Sequence, residues 1–175
     1  MANLNGSINM REEVVIFFIR QVRDSAEVLL GQKSSSAKVA EGRWNGYGGG
    51  IEEGETPRQA GVRETDEETN HGIVVLEENL EPMGSVIFHN PSGKGDRRVH
   101  FFTCRTFTGE AKETEEMIKP TWYDPKDEGT LEKMMPADRL FVPQMILEGK
   151  RVKEGWVRFG EGYRLDDSHF EFEDD

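Results

Sequence analysis

The feature that most restricts the fold of this chain is a glycine-rich stretch followed closely by a helix entry. Residues 43–50 read RWNGYGGG, and four glycines in eight positions are not tolerated inside a helix. Thr56 and Pro57 then supply the residue types preferred at a helix N-cap and at the first helical position. The sequence therefore predicts an extended segment that leads into a helix over residues 57–69.

Acidic residues crowd this predicted helix more densely than helix stability requires. Glu64, Glu67 and Glu68 stand at i, i+3 and i+4, so they share one face, with neighbouring Cβ atoms about 5–6 Å apart. No lysine occurs between residues 45 and 93 to offset their repulsion. A solvated acidic face and an oxygen-rich site for Mg²⁺ or Mn²⁺ both fit the helix taken by itself.

The glycines ahead of the helix favour the metal site over the solvated face. Gly48, Gly49 and Gly50 lack a Cβ atom, so the backbone can approach a ligand or a metal closely. A glycine loop that leads to a helix N-terminus can also receive a phosphate group. The loop is not a P-loop, because no Gly-Lys-Ser/Thr follows it. We therefore expect bound cations to bring a polyphosphate to this region.

The charge balance restricts the partners and the compartment. The 175 residues include 34 acidic and 22 basic ones, so the net charge is −12 and a nucleic acid polymer is not an expected partner. No apolar run approaches the ~20 residues of a membrane span. The N-terminus lacks the pattern of a signal peptide. Cys104 is the single cysteine, which fits a reducing compartment, and we expect a cytoplasmic protein without a membrane partner.

Short apolar runs predict a β-rich single domain at residues 12–175, after a disordered segment at residues 1–11. A second helix is expected over residues 140–148, with Asp138 as its cap and Pro143 in its first turn. Two helices without regular βαβ alternation favour an α+β fold or a mixed α/β sandwich over a doubly wound sheet. The strands are expected within residues 12–21, 26–33, 72–90, 97–110, 121–124, 156–165 and 168–174.

The stretch GGIEEGETPRQAGVRETDEETNHGI resembles the Nudix box, G-x5-E-x7-R-E-U-x-E-E-x-G-U, where U is apolar. Three positions depart from it, because Thr65 and His71 replace apolar residues and Asn70 replaces a glycine. Asparagine is the next best residue for the left-handed turn that ends a helix, so we expect the turn to survive. The six fixed positions that match are Gly49, Glu55, Arg63, Glu64, Glu67 and Glu68.

The likeness extends over about residues 12–170. In order, EVLLGQK, GRWNGYGG, MGSVIFHN, ETEEM, PTWYD, MPADRLFVP and WVRFGEGYRL resemble the MutT-homologue branch of the family, which hydrolyses oxidised purine nucleoside triphosphates such as 8-oxo-dGTP. The resemblance implies the Nudix α/β/α sandwich, with a mixed sheet between helices. It also implies an Mg²⁺-dependent hydrolase, a monomer or homodimer, that converts a small nucleotide substrate to its monophosphate and pyrophosphate.

The resemblance assigns roles to the acidic cluster. Glu64, Glu68 and the carbonyl group of Gly48 would be metal ligands, and Glu67 would be a ligand or the general base. Arg63 would orient the carboxylates through a charge-assisted hydrogen bond with Glu55, where the alternative is a simple surface ion pair. A further acid, catalytic and metal-binding, would come from the loop before the TWY segment. Glu116 matches best there, although one extra residue leaves Glu113, Glu115 or an ordinary acidic loop open.

Other positions would recognise the nucleotide. Lys33, Asn45 and Asp138 match substrate-contacting residues, where the alternatives are a strand-end lysine, a turn residue and a helix cap. Ala137 stands where the first of two paired aspartates is usual, and Met135 where a stacking tryptophan is usual. A carboxylate pair that shares a proton can read two purine tautomers, and this chain lacks it. The branch's tolerance of oxidised adenines is therefore in question here.

The sequence leaves other functions open. Another Nudix substrate, such as an ordinary dNTP, a dinucleoside polyphosphate or an ADP-sugar, would use the same box, because the box specifies the pyrophosphate chemistry alone. A nucleotide sensor without catalysis would belong to a different class. The complete REXXEE core argues against the sensor, since losing the chemistry would remove the need for a repulsive cluster.

Overall fold

The computed structural model describes residues 10–36, 41–92 and 95–174, and it folds them into eleven strands and three α-helices. The strands are β1 Arg11–Val22, β2 Ser25–Lys33, β3 Trp44–Asn45, β4 Tyr47–Gly50, β5 Ile73–Val74, β6 Glu81–His89, β7 Arg97–Cys104, β8 Thr108–Gly109, β9 Met117–Tyr123, β10 Val152–Phe159 and β11 Leu165–Phe172. The helices are α1 Pro57–Glu68, α2 Glu128–Lys133 and α3 Val142–Glu148. Short 3-10 helices span Glu77–Asn79, Asp138–Leu140 and Glu161–Tyr163.

Nine of these strands form one mixed sheet, in the order β11-β10-β6-β7-β1-β2-β3, with β4 also paired to β1 and β9 to β2. The pairs β1–β7 and β6–β10 are parallel, and the other pairs of this sheet are antiparallel. Strands β5 and β8 form a separate two-stranded sheet. The predicted mixed sheet is therefore confirmed.

Helices cover both faces of the large sheet, which gives the predicted α/β/α layers. On one face, Phe141 and Met145 belong to the same buried apolar cluster as Phe17 of β1. On the other face, Ala60 of α1 shares a second cluster with Ile16 of β1. Successive strand residues point to opposite faces, so the almost continuous apolar run of β1 supplies both clusters.

Helix α1 forms as its sequence predicts. The Thr56 hydroxyl accepts a hydrogen bond from the Gln59 backbone N–H at 3.2 Å, and the Gln59 side chain accepts one from the Thr56 N–H at 3.0 Å. This reciprocal capping box fixes the start of the helix. Asn70 follows the helix with φ of 52°, so the expected left-handed turn is present despite the missing glycine.

The second predicted helix is corrected in its start and its cap. Helix α3 begins at Val142 rather than at residue 140, and Phe141 rather than Asp138 is its N-cap residue. The Asp138 carboxylate accepts a hydrogen bond from the Met135 backbone N–H at 3.2 Å, so it serves the preceding turn. The first-turn position of Pro143 is confirmed. Helix α2 was not predicted.

The predicted boundary at residues 1–11 falls largely outside the described part of the chain, which begins at residue 10, and Arg11 is already the first residue of β1. Within the described residues, no helix is long and apolar enough to cross a membrane.

Candidate active site

A cleft of about 420 Å³ brings together residues from β1, β2, β3, β4, α1 and β7 and from the loops before β9 and after α2. Most of the site residues predicted from the sequence line it, namely Lys33, Asn45, Gly48, Glu64, Glu67, Glu68, Glu116 and Met135. Arg63 and Asp138 lie behind its wall, where each contacts residues that line it.

Strand β4 brings the glycine backbone to the acidic helix. Gly48 and Gly49 pair with Val15 and Val14 of β1 in an antiparallel ladder. A Cβ atom at Gly48 would lie 1.8 Å from the Val14 carbonyl oxygen, and one at Gly49 would lie 2.6 Å from the Glu64 carboxylate. The backbone approach therefore requires glycine at position 48, whereas a side chain at position 49 would displace the Glu64 carboxylate.

Arg63 holds the acidic cluster in place. Its Nε and Nη2 atoms donate to the two carboxylate oxygens of Glu55 at 2.7 and 2.9 Å, and Nη2 also donates to the Gly50 carbonyl oxygen at 2.9 Å. Its Nη1 atom donates to Glu64 at 2.9 Å and to Glu67 at 3.3 Å. These hydrogen bonds hold the pKa of Glu55 well below its usual range, at about 2. The expected hydrogen bond between Arg63 and Glu55 is present, and the orienting role of Arg63 stays a prediction.

Glu64 and Glu68 are largely removed from solvent, and their contacts do not fully offset the cost of burying their charge. Burial raises the pKa of Glu68 to about 7, and nearby carboxylates such as Glu116 add to this while Lys33 opposes it. Burial also raises the pKa of Glu64. The Glu68 Oε2 atom is buried, and no described residue gives it a hydrogen bond. An unpaired buried oxygen beside further carboxylates and a glycine backbone fits a divalent cation, which prefers oxygen ligands.

The loop before β9 separates the three candidate acids. Glu116 lines the cleft, whereas the Glu113 carboxylate accepts a hydrogen bond from the Lys119 backbone N–H at 2.9 Å and so stabilises a turn. Glu115 contributes its backbone carbonyl, which accepts from the Ser36 hydroxyl at 2.8 Å. Glu116 remains the candidate for the further acid.

The base-recognition candidates are divided between the cleft and the interior. Asn45 and Met135 line the cleft, and the Asn45 side-chain oxygen accepts a hydrogen bond from the Gly46 N–H at 2.8 Å. Asp138 is buried and does not line the cleft, and burial raises its pKa to about 7. Its carboxyl group accepts a hydrogen bond from the Met135 backbone N–H and so stabilises the turn that places Met135.

Charged residues that the sequence analysis missed also line the cleft. Arg11, Glu13 and Arg97 come from the adjacent parallel strands β1 and β7. A charge next to an apolar strand run was the available signal, as in REEVV and RRVHF. It was not sufficient, because the strand register decides which of two neighbouring charges points inward.

Comparison with known proteins identifies the family. The family profile described as NUDIX domain matches residues 10–145. The chain belongs to the Nudix family. It is 35% identical over 132 residues to a Danio rerio protein named oxidized purine nucleoside triphosphate hydrolase, covering 75% of this chain and 78% of that protein. A Mus musculus protein of the same name is 31% identical over 123 residues, covering 70% and 74% of the two chains.

A solved structure supports the Nudix fold. The MutT protein from Bacillus halodurans superposes with a TM-score of 0.75, covering 93% of this chain and 98% of that one, at 22% identity. Together with the two relatives named oxidized purine nucleoside triphosphate hydrolase, this structure confirms the predicted resemblance to the MutT-homologue branch. As a Nudix hydrolase, this protein acts on phosphorus-containing anhydrides, and the family generally uses a divalent metal.

Proposed function

We propose that this Nudix hydrolase converts an oxidised purine nucleoside triphosphate, such as 8-oxo-dGTP, to the monophosphate and pyrophosphate with Mg²⁺. The observation that carries the proposal is one cleft that joins the Glu64, Glu67 and Glu68 cluster to Asn45 and Met135. The names of the two curated relatives point to the same substrate class. The enzyme would act in the cytoplasm on the free nucleotide pool.

Glu64, Glu68, Glu116 and the Gly48 carbonyl group would hold the cation, with Glu67 as a further ligand or the general base. When bound, Mg²⁺ or Mn²⁺ offsets the charge of the polyphosphate and activates water. Glu67 is suited to either role because its side chain is 57% exposed and accepts a hydrogen bond from Arg63 at only 3.3 Å.

Lys33 would bind a phosphate oxygen. It lines the cleft, and its charge lowers the pKa of Glu64 and of Glu68 against the effect of burial. A cation beside this many carboxylates reduces the repulsion that an incoming triphosphate would meet. Asn45 would contact the base edge, and Met135 would pack on the ring through its flexible thioether.

A nucleotide panel with product analysis tests the proposal. We expect kcat/KM for 8-oxo-dGTP to exceed that for dGTP clearly, with monophosphate and pyrophosphate as products and with turnover that depends on Mg²⁺. Discrimination of less than about threefold, which corresponds to ~0.7 kcal/mol, would contradict the proposed substrate. A higher kcat/KM for a dinucleoside polyphosphate or an ADP-sugar than for 8-oxo-dGTP would assign the site to that substrate.

The Glu68→Gln variant separates the hydrolase from a nucleotide sensor. We expect nucleotide binding to remain and turnover to fall by about two orders of magnitude or more, because a cation ligand is lost. Asp66→Asn is the matched control, since Asp66 lies on the same helix with its carboxylate 2.8 Å from His71, outside the cleft. A wild-type protein with no Mg²⁺-dependent turnover on any nucleotide would favour the sensor.

A further inference from the structure

Arg97 occupies the wall of the cleft with an incomplete set of hydrogen bonds. Its side chain is 17% exposed, and its guanidinium lies over the Phe88 ring at 5.5 Å. Its Nη1 atom donates to Glu13 Oε2 at 3.5 Å, while its buried Nε–H has no acceptor among the described residues. A buried charged donor without a partner is costly, so a ligand that supplies a further acceptor to this guanidinium would be stabilised.

Glu13 presents an acceptor beside that donor. Its side chain is 13% exposed and lies between two guanidinium groups, with Arg11 Nε 3.1 Å from Oε1 and Arg97 Nη1 3.5 Å from Oε2. A carboxylate offers about four lone-pair positions, so these two contacts leave it able to accept from a ligand. Arg97 and Glu13 therefore present a donor and an acceptor side by side on the cleft wall.

This pair lies toward the base-binding side of the cleft. The Arg97 guanidinium lies over the Phe88 ring, and Phe88 belongs to the same buried apolar cluster as Met135. Val15, two positions after Glu13 on the same face of β1, packs against that cluster too. Helix α1, which carries the carboxylate cluster, packs Ala60 into the other apolar cluster.

The chemistry of oxidised purines matches this donor and acceptor. Oxidation at C8 converts the edge of the five-membered ring from an N7 acceptor and a C–H group to an N7–H donor beside a carbonyl acceptor. An unoxidised purine keeps its N7 acceptor, which would face the Glu13 carboxylate unfavourably. Building on the proposed function, we propose that Arg97 donates to the C8 carbonyl group while Glu13 accepts from N7–H, so that this pair selects the oxidised base.

The proposal extends to both oxidised purines. The five-membered ring is the same in guanine and adenine, so Arg97 and Glu13 read the oxidation itself and not the identity of the base. They would therefore accept 8-oxo-dATP as well, and its use would not depend on the aspartate that Ala137 replaces.

Steady-state kinetics of four variants test the pair. Glu13→Gln should raise kcat/KM for dGTP, because the amide can rotate so that its NH₂ group donates to N7. Arg97→Met should lower kcat/KM for 8-oxo-dGTP, because the donor to the C8 carbonyl group is lost. We expect the ratio of kcat/KM for 8-oxo-dGTP over dGTP to fall about tenfold or more in each. Glu12→Gln and Arg98→Met are matched controls, since this ion pair occupies the neighbouring strand positions outside the cleft, and they should keep the ratio within about twofold.

Binding of monophosphates by calorimetry gives a readout that needs neither metal nor turnover. Wild-type protein should prefer 8-oxo-dGMP over both dGMP and 8-bromo-dGMP, because bromine fills the C8 position but leaves N7 an acceptor. Both variants should lose that preference, and Arg97→Lys should lose it too because a lysine lacks the planar fork. A wild-type preference that survives in Glu13→Gln and Arg97→Met would overturn this inference alone. No wild-type preference for the oxidised nucleotide in kinetics would overturn the proposed function together with it.

Discussion

At the scale of single residues, Arg63 shows how one side chain organises several acids. Its fork contacts Glu55, Glu64, Glu67 and the Gly50 carbonyl group at once, which joins β4, the following loop and α1. The planar guanidinium presents five N–H donors in a fixed geometry, and a lysine ammonium cannot reproduce that arrangement. Helix spacing predicts only the contact between Arg63 and Glu67, four positions apart. The contact with Glu55 was expected from the resemblance to the Nudix box, and the orienting role stays a prediction.

Replacing Arg63 with lysine should therefore loosen the acidic cluster without removing its charge. We expect Arg63→Lys to need several-fold more Mg²⁺ for half-maximal activity and to lose about tenfold or more in kcat. Mg²⁺ titration of turnover measures both. Arg20→Lys is the matched control, because Arg20 makes a comparable ion pair with Glu27 at 2.6 Å outside the cleft. Equal Mg²⁺ requirements for Arg63→Lys and the wild type would contradict the orienting role.

The buried Asp138 gives a pH-dependent prediction. Its pKa is 3.8 when exposed and about 7 in the folded protein, because burial disfavours the charged form. Between these values the folded state holds the proton more tightly than the unfolded state, so this group's contribution to stability is lost as the pH rises from about 4 to 7. The asparagine of Asp138→Asn cannot lose a proton. The unfolding free energy of the variant minus that of the wild type should therefore increase by on the order of 1 kcal/mol per pH unit as the pH rises through that window.

Urea unfolding of both proteins at pH 5, 6, 7 and 8 measures that difference. Taking the difference between Asp138→Asn and the wild type cancels the other titrating groups. Parallel curves across the range would show that Asp138 titrates in the folded protein as it does in the unfolded one.

At the scale of elements, the pairing of β4 with β1 restricts Gly48, and helix α1 restricts Gly49. The methyl group of Gly48→Ala would meet the β1 backbone, and that of Gly49→Ala would meet the Glu64 carboxylate at the far end of a side chain. We expect Gly48→Ala to unfold much of the protein, whereas Gly49→Ala should fold and lose most of its Mg²⁺-dependent activity. At Gly50 a Cβ atom would have its nearest contact at 3.5 Å, so Gly50→Ala should keep both the fold and the Mg²⁺-dependent activity.

Circular dichroism and kinetics of the three alanine variants separate these outcomes. An active Gly49→Ala would show that the Glu64 carboxylate can move without consequence for catalysis.

The sequence correctly predicted the elements that have several consistent local patterns, such as caps and apolar runs, and it missed elements without them. Helix α1 has a capping box and a glutamate pattern, and β1 has a long apolar run, so both were correct. Helix α2 spans only Glu128–Lys133 and contains a glycine, so its Asp127 cap did not stand out. Glu13 was missed for a different reason, because β1 places Glu12 and Glu13 on opposite faces and only the neighbouring strands decide which face forms the cleft.

At the scale of the whole molecule, the cation would contribute to folding stability. Any ligand that binds the folded state alone stabilises it by RT ln(1 + [L]/Kd), or about 1.4 kcal/mol at ten times Kd. For a chain of this size, we expect Mg²⁺ to raise Tm by roughly 3–6 °C and EDTA to reverse the shift. The Glu68→Gln variant should show little of it, as thermal unfolding can measure. An equal shift in the variant and the wild type would place the bound ion elsewhere.

Different elements of the chain carry the residues proposed for hydrolysis and the residues proposed for base selection. The groups proposed for hydrolysis come from α1, β4 and the loop before β9, whereas Glu13 and Arg97 come from the parallel pair β1 and β7. On the proposed assignment, substitutions in the second group would alter which nucleotide is bound while the proposed metal-binding backbone and the capping box of α1 stay unchanged. New substrate ranges would then be accessible to this scaffold through a few inward-facing strand positions, without changes to the residues that cleave the anhydride.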